Sequence, residues 1–388
     1  ILADLLLGSL LALIYTNDMF TAYVFVEINT IAACGFIMIR QTGRTIEAAV
    51  RYMIMSLLGS GLLLMGLCML YDMTGHLLMS NMKESIALIV QNGTYEIPLI
   101  VAIGLMTIGL SIKSALFPFH SWLPDAYGYS TVSSAAILSS LVSKGYIFLL
   151  IKIFYRVIGF DVIVETGILN ILFVFGLCGM IFGSVSAIWE SDIRRMIAFS
   201  SVAQIGYIYM GFGLGTESSM TASVFHILMH AATKSLAFIA AIGLTDVSGG
   251  SRSFSKLTGA AYRNKISGLG FTVASLSMVG MPIFSGFISK LLFAESAVAA
   301  PSWKMFPTLI VLAISTILNA IYFLKTVLRI YTAKSLTEEQ ELGFICKTWK
   351  HQKVYAITVI LFIIVNIILG TNSQPVIELI TEGLRNFS

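Results

Sequence analysis

The chain has 388 residues, of which 57% are hydrophobic and only 11% charged, with a mean hydropathy of +0.89 and a net charge of +4. A soluble domain of this size could not stay dissolved with so little polar surface, so composition excludes a water-soluble enzyme and places the chain in lipid. The basic residues sit in loops and form no clustered stripe, which excludes a nucleic-acid surface.

A transmembrane helix needs about 20 mostly apolar residues, whereas barrel strands are short and alternate. The runs here are long and unalternated, so the expected fold class is an all-α polytopic membrane protein. Helices are predicted near 1–16, 19–39, 46–71, 97–116, 131–156, 165–189, 193–213, 218–245, 267–299, 306–332 and 353–371, eleven spans in all. Two of them are interrupted. The fourth runs into FPFHSWLPDA with Pro118 and Pro124, and the ninth holds Gly280-Met281-Pro282 inside an apolar run longer than one crossing. Proline removes a backbone donor and clashes with the preceding turn, so both helices are expected to unwind there.

No initiator Met, charged leader or cleavage site precedes the first apolar run, and the chain is expected to be a fragment lacking N-terminal spans. Cys34, Cys68, Cys178 and Cys346 are scattered and form no C-x-x-C pair, so neither a metal site nor a disulfide framework is expected.

Alternating the loops between two sides puts fifteen of the 24 Lys and Arg residues on one face, from Arg40 to Lys353 and including Lys334, Lys347 and Lys350. Only Lys83, Lys152, Arg156, Lys304 and Arg385 fall on the other, and four lysines lie inside spans. The positive-inside rule makes the first face cytoplasmic. The two broken helices are five spans apart, and an odd offset inverts the second unit relative to the first. The expected organisation is a five-helix repeat over 1–156, an inverted repeat over 157–332, and a cytoplasmic loop, last span and short outer tail over 333–388.

The ionisable residues inside spans are Glu27, Lys113, Lys144, His226, His230, Lys234 and Lys290. A charge at the centre of a span costs about 2.5–3.5 kcal/mol on insertion scales, so several of them need a reason. A single lysine near a span end can snorkel to the headgroups, but Lys144 and Lys234 are flanked too deeply on both sides. Glu27 and Lys113 form the candidate ion pair, a switch in which movement of one partner frees a proton on the other. His226, His230 and Lys234 recur every four residues, one face of a single helix spanning about 12 Å, the outline of a proton wire. A lone buried histidine is more often a packing residue; two on one stripe with a lysine favour conduction. Ser235, Thr233 and Thr221 receive no special role. His120, between Pro118 and Pro124, either gates a half-channel with Pro118 and Pro282 or merely caps the unwound turn. Asp192, Arg194 and Arg195 are read by default as solvated anchors. There is no P-loop, no Rossmann glycine pattern and no cluster-ligating cysteine set, so no catalytic residue, metal or cofactor is assigned to this chain.

The segments YVFVEI, LSIKSALFPFHSWLPDA, SSLVSKGYIFLL, SDIRRMIAFSSVAQIGY, HILMHAATKSLAF and GMPIFSGFISK cover nearly the whole chain. Together they resemble the antiporter-like subunits shared by respiratory complex I, Mrp-type cation/proton antiporters and energy-converting membrane hydrogenases. The resemblance implies fourteen helices with two inverted five-helix repeats, this chain corresponding to helices four to fourteen. It implies Glu27 as the glutamate of helix five, Lys113 beside the break in helix seven and Lys144 as the relay lysine of helix eight. His226, His230 and Lys234 match the helix-eleven relay, and Lys290 the terminal lysine of broken helix twelve. Lysine rather than glutamate at 290 favours the D-type Mrp subunit and some complex I subunits, and no long lateral helix is expected after the last span. The implied function is proton translocation as one subunit among other membrane subunits, in a bacterial or archaeal inner membrane. Whether the assembly is an enzyme stays open, since such a subunit serves either a redox-driven oxidoreductase or a Na+/H+ antiporter, and a non-conducting structural subunit is the third alternative.

Overall fold

The computed structural model describes residues 1–332 and 353–387, and every regular element among them is a helix. Lys334, Cys346, Lys347 and Lys350 lie outside the described residues. In chain order the helices are α1 (Leu2–Tyr15), α2 (Met19–Met38), α3 (Gly43–Thr74), α4 (Met79–Gln91) and α5 (Glu96–Lys113). After the first break come α6 (Leu123–Tyr129), α7 (Val132–Ile158), α8 (Ile168–Trp189), α9 (Ile193–Leu214) and α10 (Glu217–Asp246). Then follow α11 (Lys265–Val279), α12 (Ser285–Ala299), α13 (Ser302–Ile330), α14 (Lys353–Thr371) and α15 (Gln374–Phe387), with single short helical turns at Phe160–Glu165 and Ala260–Arg263 in the connections.

Nine helices among the described residues are long and apolar enough to cross a bilayer. Two predicted spans stand apart from these nine. The first is α1, with 14 residues, and the ninth is divided into α11 and α12, of 15 residues each. Among the helices of ten residues or more, α4 and α15 fall where no span was predicted. Both are amphipathic and too polar to cross, so a search for apolar runs passes over them. The tail expected after the last span is therefore largely helical: Phe387 of α15 packs edge-on against Phe148, with ring centres 6.1 Å apart.

Small residues set the closest helix contacts, as expected where lipid offers no hydrophobic drive for association. A Cβ on Gly59 of α3 would stand 2.6 Å from the Gly109 carbonyl of α5. Between α8 and α9, a Cβ on Gly176 would collide with the Met210 nitrogen, and one on Gly183 would meet the Ala203 nitrogen at 2.6 Å.

Both expected breaks are present. At the first, α5 stops at Lys113, Ala115 turns to φ 63°, and a short 3₁₀ turn over Phe119–Trp122 leads into α6. The Trp122 indole donates to the freed Ile112 carbonyl at 3.2 Å. At the second, Gly280 closes α11 at φ 89° and Ile283 turns to φ 82° before α12 starts. Helix α7 stays continuous but carries π-helical turns at Leu138–Val142 and Ile153–Ile158.

Three loop assignments from the sequence are corrected. Lys152 is fully buried and donates to the Leu13, Ile14 and Thr16 carbonyls, so it caps α1. Lys304 is also buried, donating to the Gly213 carbonyl at 2.6 Å at the end of α9. Both satisfy carbonyls that a helix end leaves open, which outweighs solvation in the loop. Arg194 is not a solvated anchor: it is 2% exposed and donates to the Tyr127 and Ser130 carbonyls at the end of α6. Its neighbour Arg195 is tied to Asp125 and Glu190.

Candidate proton-relay site

Lys113 is the last residue of α5 and has no exposed surface. The unwound turn beyond it frees its side chain to reach sideways into α2. There its Nζ lies 3.3 Å from Glu27 Oε1 and donates to Thr30 Oγ1 at 2.8 Å. Glu27 also accepts a hydrogen bond from Ser60 of α3 and keeps a quarter of its side chain exposed. The pair expected from sequence is thus in contact, and Thr30 and Ser60 join it. A charged pair taken from water needs such additional hydrogen bonds to offset its desolvation.

From Thr30 the polar contacts continue to α7. The Tyr146 hydroxyl lies 3.2 Å from Thr30 Oγ1, 3.4 Å from the Tyr52 hydroxyl and 3.3 Å from Asn29 Oδ1. Its ring also lies under the Lys113 ammonium, 5.4 Å from Nζ to the ring centre. Lys144, two residues before Tyr146, is buried and donates to the Ser139 carbonyl, which belongs to the first π-helical turn. A π turn leaves a carbonyl outside the regular ladder, and here a lysine takes it. Lys144 lies within electrostatic reach of His226, His230 and Lys234 on α10.

On α10 the histidine stripe is fully buried, with the His226 and His230 ring centres 6.1 Å apart. His226 Nδ1 is 2.6 Å from Ser289 Oγ, next to Lys290 in α12. Among the described residues, neither ring nitrogen of His230 has a hydrogen-bond partner, nor has Nε2 of His226. Lys234 turns away from the histidines: it donates to the Ile197 carbonyl at 2.9 Å and to the Ser200 hydroxyl, both on α9.

Lys290 reaches back across the second break to the Val279 carbonyl at 2.7 Å, the open end of α11, and to Thr316 Oγ1 on α13 at 3.0 Å. The negative end of a half-helix dipole favours a cation there. Pro282 is exposed within this break and takes no part in the hydrogen bonds of Lys290. His120 stacks on Phe117 with ring centres 5.5 Å apart, and its Nδ1 is buried without a partner, while Pro118 directly precedes its 3₁₀ turn.

The sequence reading missed the neutral groups that hold these ions: Thr30, Ser60, Tyr146, Ser200, Ser289 and Thr316. It also set Thr233 aside, whereas Thr233 donates to Asn366 Oδ1 of α14 at 2.6 Å. Asn366 is fully buried and accepts from Ser285 at 3.2 Å as well, bracing the start of α12. An asparagine inside the apolar run of α14 was the available signal. Among the described residues no cluster of three His, Cys, Asp or Glu is arranged to hold a metal.

The model of the family described as NADH:quinone oxidoreductase/Mrp antiporter, TM, matches residues 16–319. Subunit N of NADH-quinone oxidoreductase from Desulforudis audaxviator is 34% identical over 324 residues, 84% of this chain and 63% of that relative. The chain therefore spans less than two thirds of that relative's length. Among solved structures, a chain of the membrane-bound sulfane sulfur reductase, an archaeal respiratory membrane complex, superposes with a TM-score of 0.87 at 26% identity, covering 100% of this chain and 75% of that one. A chain of the Mrp complex from a Dietzia species gives a TM-score of 0.85 at 25% identity, covering 100% of this chain and 77% of that one.

Proposed function

The chain belongs to the NADH:quinone oxidoreductase/Mrp antiporter transmembrane family, and on that premise we propose that it conducts protons across an inner membrane as one subunit of a multi-subunit complex. The path runs from the Glu27–Lys113 pair through Tyr146 to Lys144, across to Lys234 with His230 and His226, and on to Lys290. The observation that carries this reading is Lys113: a lysine without exposed surface, at a helix break, in contact with a glutamate. Pairing offsets the cost of burying such a charge only while both partners stay in place, so displacement of Glu27 changes the affinity of Lys113 for its proton.

Glu27, a quarter exposed at mid-helix, is the natural point for exchange with a neighbouring subunit, since a carboxylate facing lipid alone is costly. The two breaks support a division into five-span units at 1–156 and 157–332, followed by 333–388, with Pro118, His120 and Pro282 as the residues that let the half-helices move. Proton uptake by inverted vesicles carrying the full-length complex tests the reading, with Lys113→Ala and Lys290→Ala compared at matched assembly. Loss of uptake in both is expected; normal uptake in both leaves the chain a scaffold.

A further inference from the structure

Ser315, Asn319, Tyr322 and Thr326 recur on α13 at intervals of four, three and four residues, and all four are buried. The opposite side of the same helix exposes Ile310, Ile314, Ile317, Ile321 and Leu328. A buried polar stripe on a membrane helix is costly unless its groups are bonded, and no residue of α13 entered the relay read from sequence.

The stripe lies between two of the relay lysines. At one end, Lys234 donates to Ser200, and the Tyr322 hydroxyl faces Ser200 and Ser184. Tyr322 then donates to Asn319 Oδ1, which also receives the Ser184 hydroxyl at 3.4 Å. At the other end, Lys290 donates to Thr316 at 3.0 Å. The Tyr207 hydroxyl lies between, beside Ser315, Thr316 and Asn319. Asn319 Nδ2 and Tyr207 Oη are buried and have no protein partner, and both face this same region. Two such groups are what one bridging water would satisfy. The hydrogen bonds of Lys234 go to α9, toward this stripe, rather than to the histidines of its own helix.

Taking proton conduction between Lys234 and Lys290 from the proposed function, we infer that the transfer runs along α13, through the hydroxyls of Ser200, Tyr322, Tyr207 and Thr316 and one bridging water. Lys234 gives up a proton and becomes an amine. Ser200 and Tyr322 first turn their O–H bonds away from the Ile197 and Asn319 carbonyls that accept them at rest; each hydroxyl, and the water, then takes a proton at oxygen as it releases its own, and the Lys290 amine takes the last and becomes an ammonium. Only O–H and N–H bonds form and break. Asn319 carries no proton; it is a positioning residue whose carbonyl orients the Tyr322 hydroxyl and whose amide holds the water. His226 and His230, within electrostatic reach of Lys144, then serve the approach to Lys234 rather than the step from Lys234 to Lys290.

The test is proton uptake by inverted vesicles carrying the full-length complex at matched assembly. Tyr322→Phe keeps the ring and removes the hydroxyl, and it is expected to slow uptake roughly a hundredfold, the scale of a lost proton-transfer group. Thr316→Val, nearly the same shape, serves as a second variant and is expected to slow uptake as well. Thr308→Val, on the same helix but outside the stripe and bonded to the Lys304 carbonyl, should slow it far less. In Asn319→Leu the solvent deuterium isotope effect on uptake should rise, which a loss of folded complex alone would not produce. Normal uptake in Tyr322→Phe and Thr316→Val beside a silent Lys290→Ala overturns the α13 route and leaves conduction standing. Normal uptake in Lys290→Ala as well overturns both.

Discussion

The two broken helices solve the same problem differently. At the first break, Lys113 is held by a carboxylate, a threonine and the face of a tyrosine. At the second, the acceptors of Lys290 among the described residues are neutral, the Val279 carbonyl and the Thr316 hydroxyl, with the Tyr207 ring 5.9 Å away. Under the proposed function the difference fits two roles: a lysine whose counter-charge can move suits a switch, whereas one resting on a helix end and a hydroxyl suits a terminal that accepts or passes a proton without a counter-charge.

The largest effect is expected from closing the helix contact that supports the first break. A side chain at Gly59 would meet the Gly109 carbonyl and come within 3.1 Å of Lys113 Cγ. Gly59→Leu should therefore prevent assembly, read as the amount of intact complex on a native gel; an intact complex would show that α3 and α5 can separate freely. Glu27→Gln comes next, with uptake expected to fall roughly a hundredfold while the complex assembles. If uptake is unchanged, the two breaks do not differ as described. At the second break, Asn366→Ala removes the acceptor shared by Thr233 and Ser285, and about 1–3 kcal/mol of stability should go with it. Thermal unfolding of the detergent-solubilised complex reads that loss, and an unshifted midpoint would remove Asn366 as a brace. The smallest effect belongs to Glu47→Gln, which breaks an exposed pair with Arg51 and should change stability by less than about 1 kcal/mol.

What could be read in the sequence followed from rarity. Charges are so costly in apolar spans that Glu27, Lys113, Lys144, Lys234 and Lys290 stood out one by one, and proline marked both breaks. The groups that bond to them did not stand out, because serine, threonine, tyrosine and asparagine are ordinary residues in membrane helices. Their partners are also distant in sequence: Ser60 lies 33 residues from Glu27, and Asn366 lies 133 from Thr233. Lys152, Lys304 and Arg194 were misread for a related reason. Near a span end, sequence alone does not distinguish a side chain in water from one turned inward onto an open helix carbonyl.

The most direct test of a continuous path is to cut it in the middle while leaving both breaks intact. Lys144→Met and Lys234→Met replace each amine with an apolar chain of similar length, and neither touches Glu27, Lys113 or Lys290. Proton uptake by inverted vesicles should be lost in both at matched assembly, and uptake at the native rate in either would contradict the path.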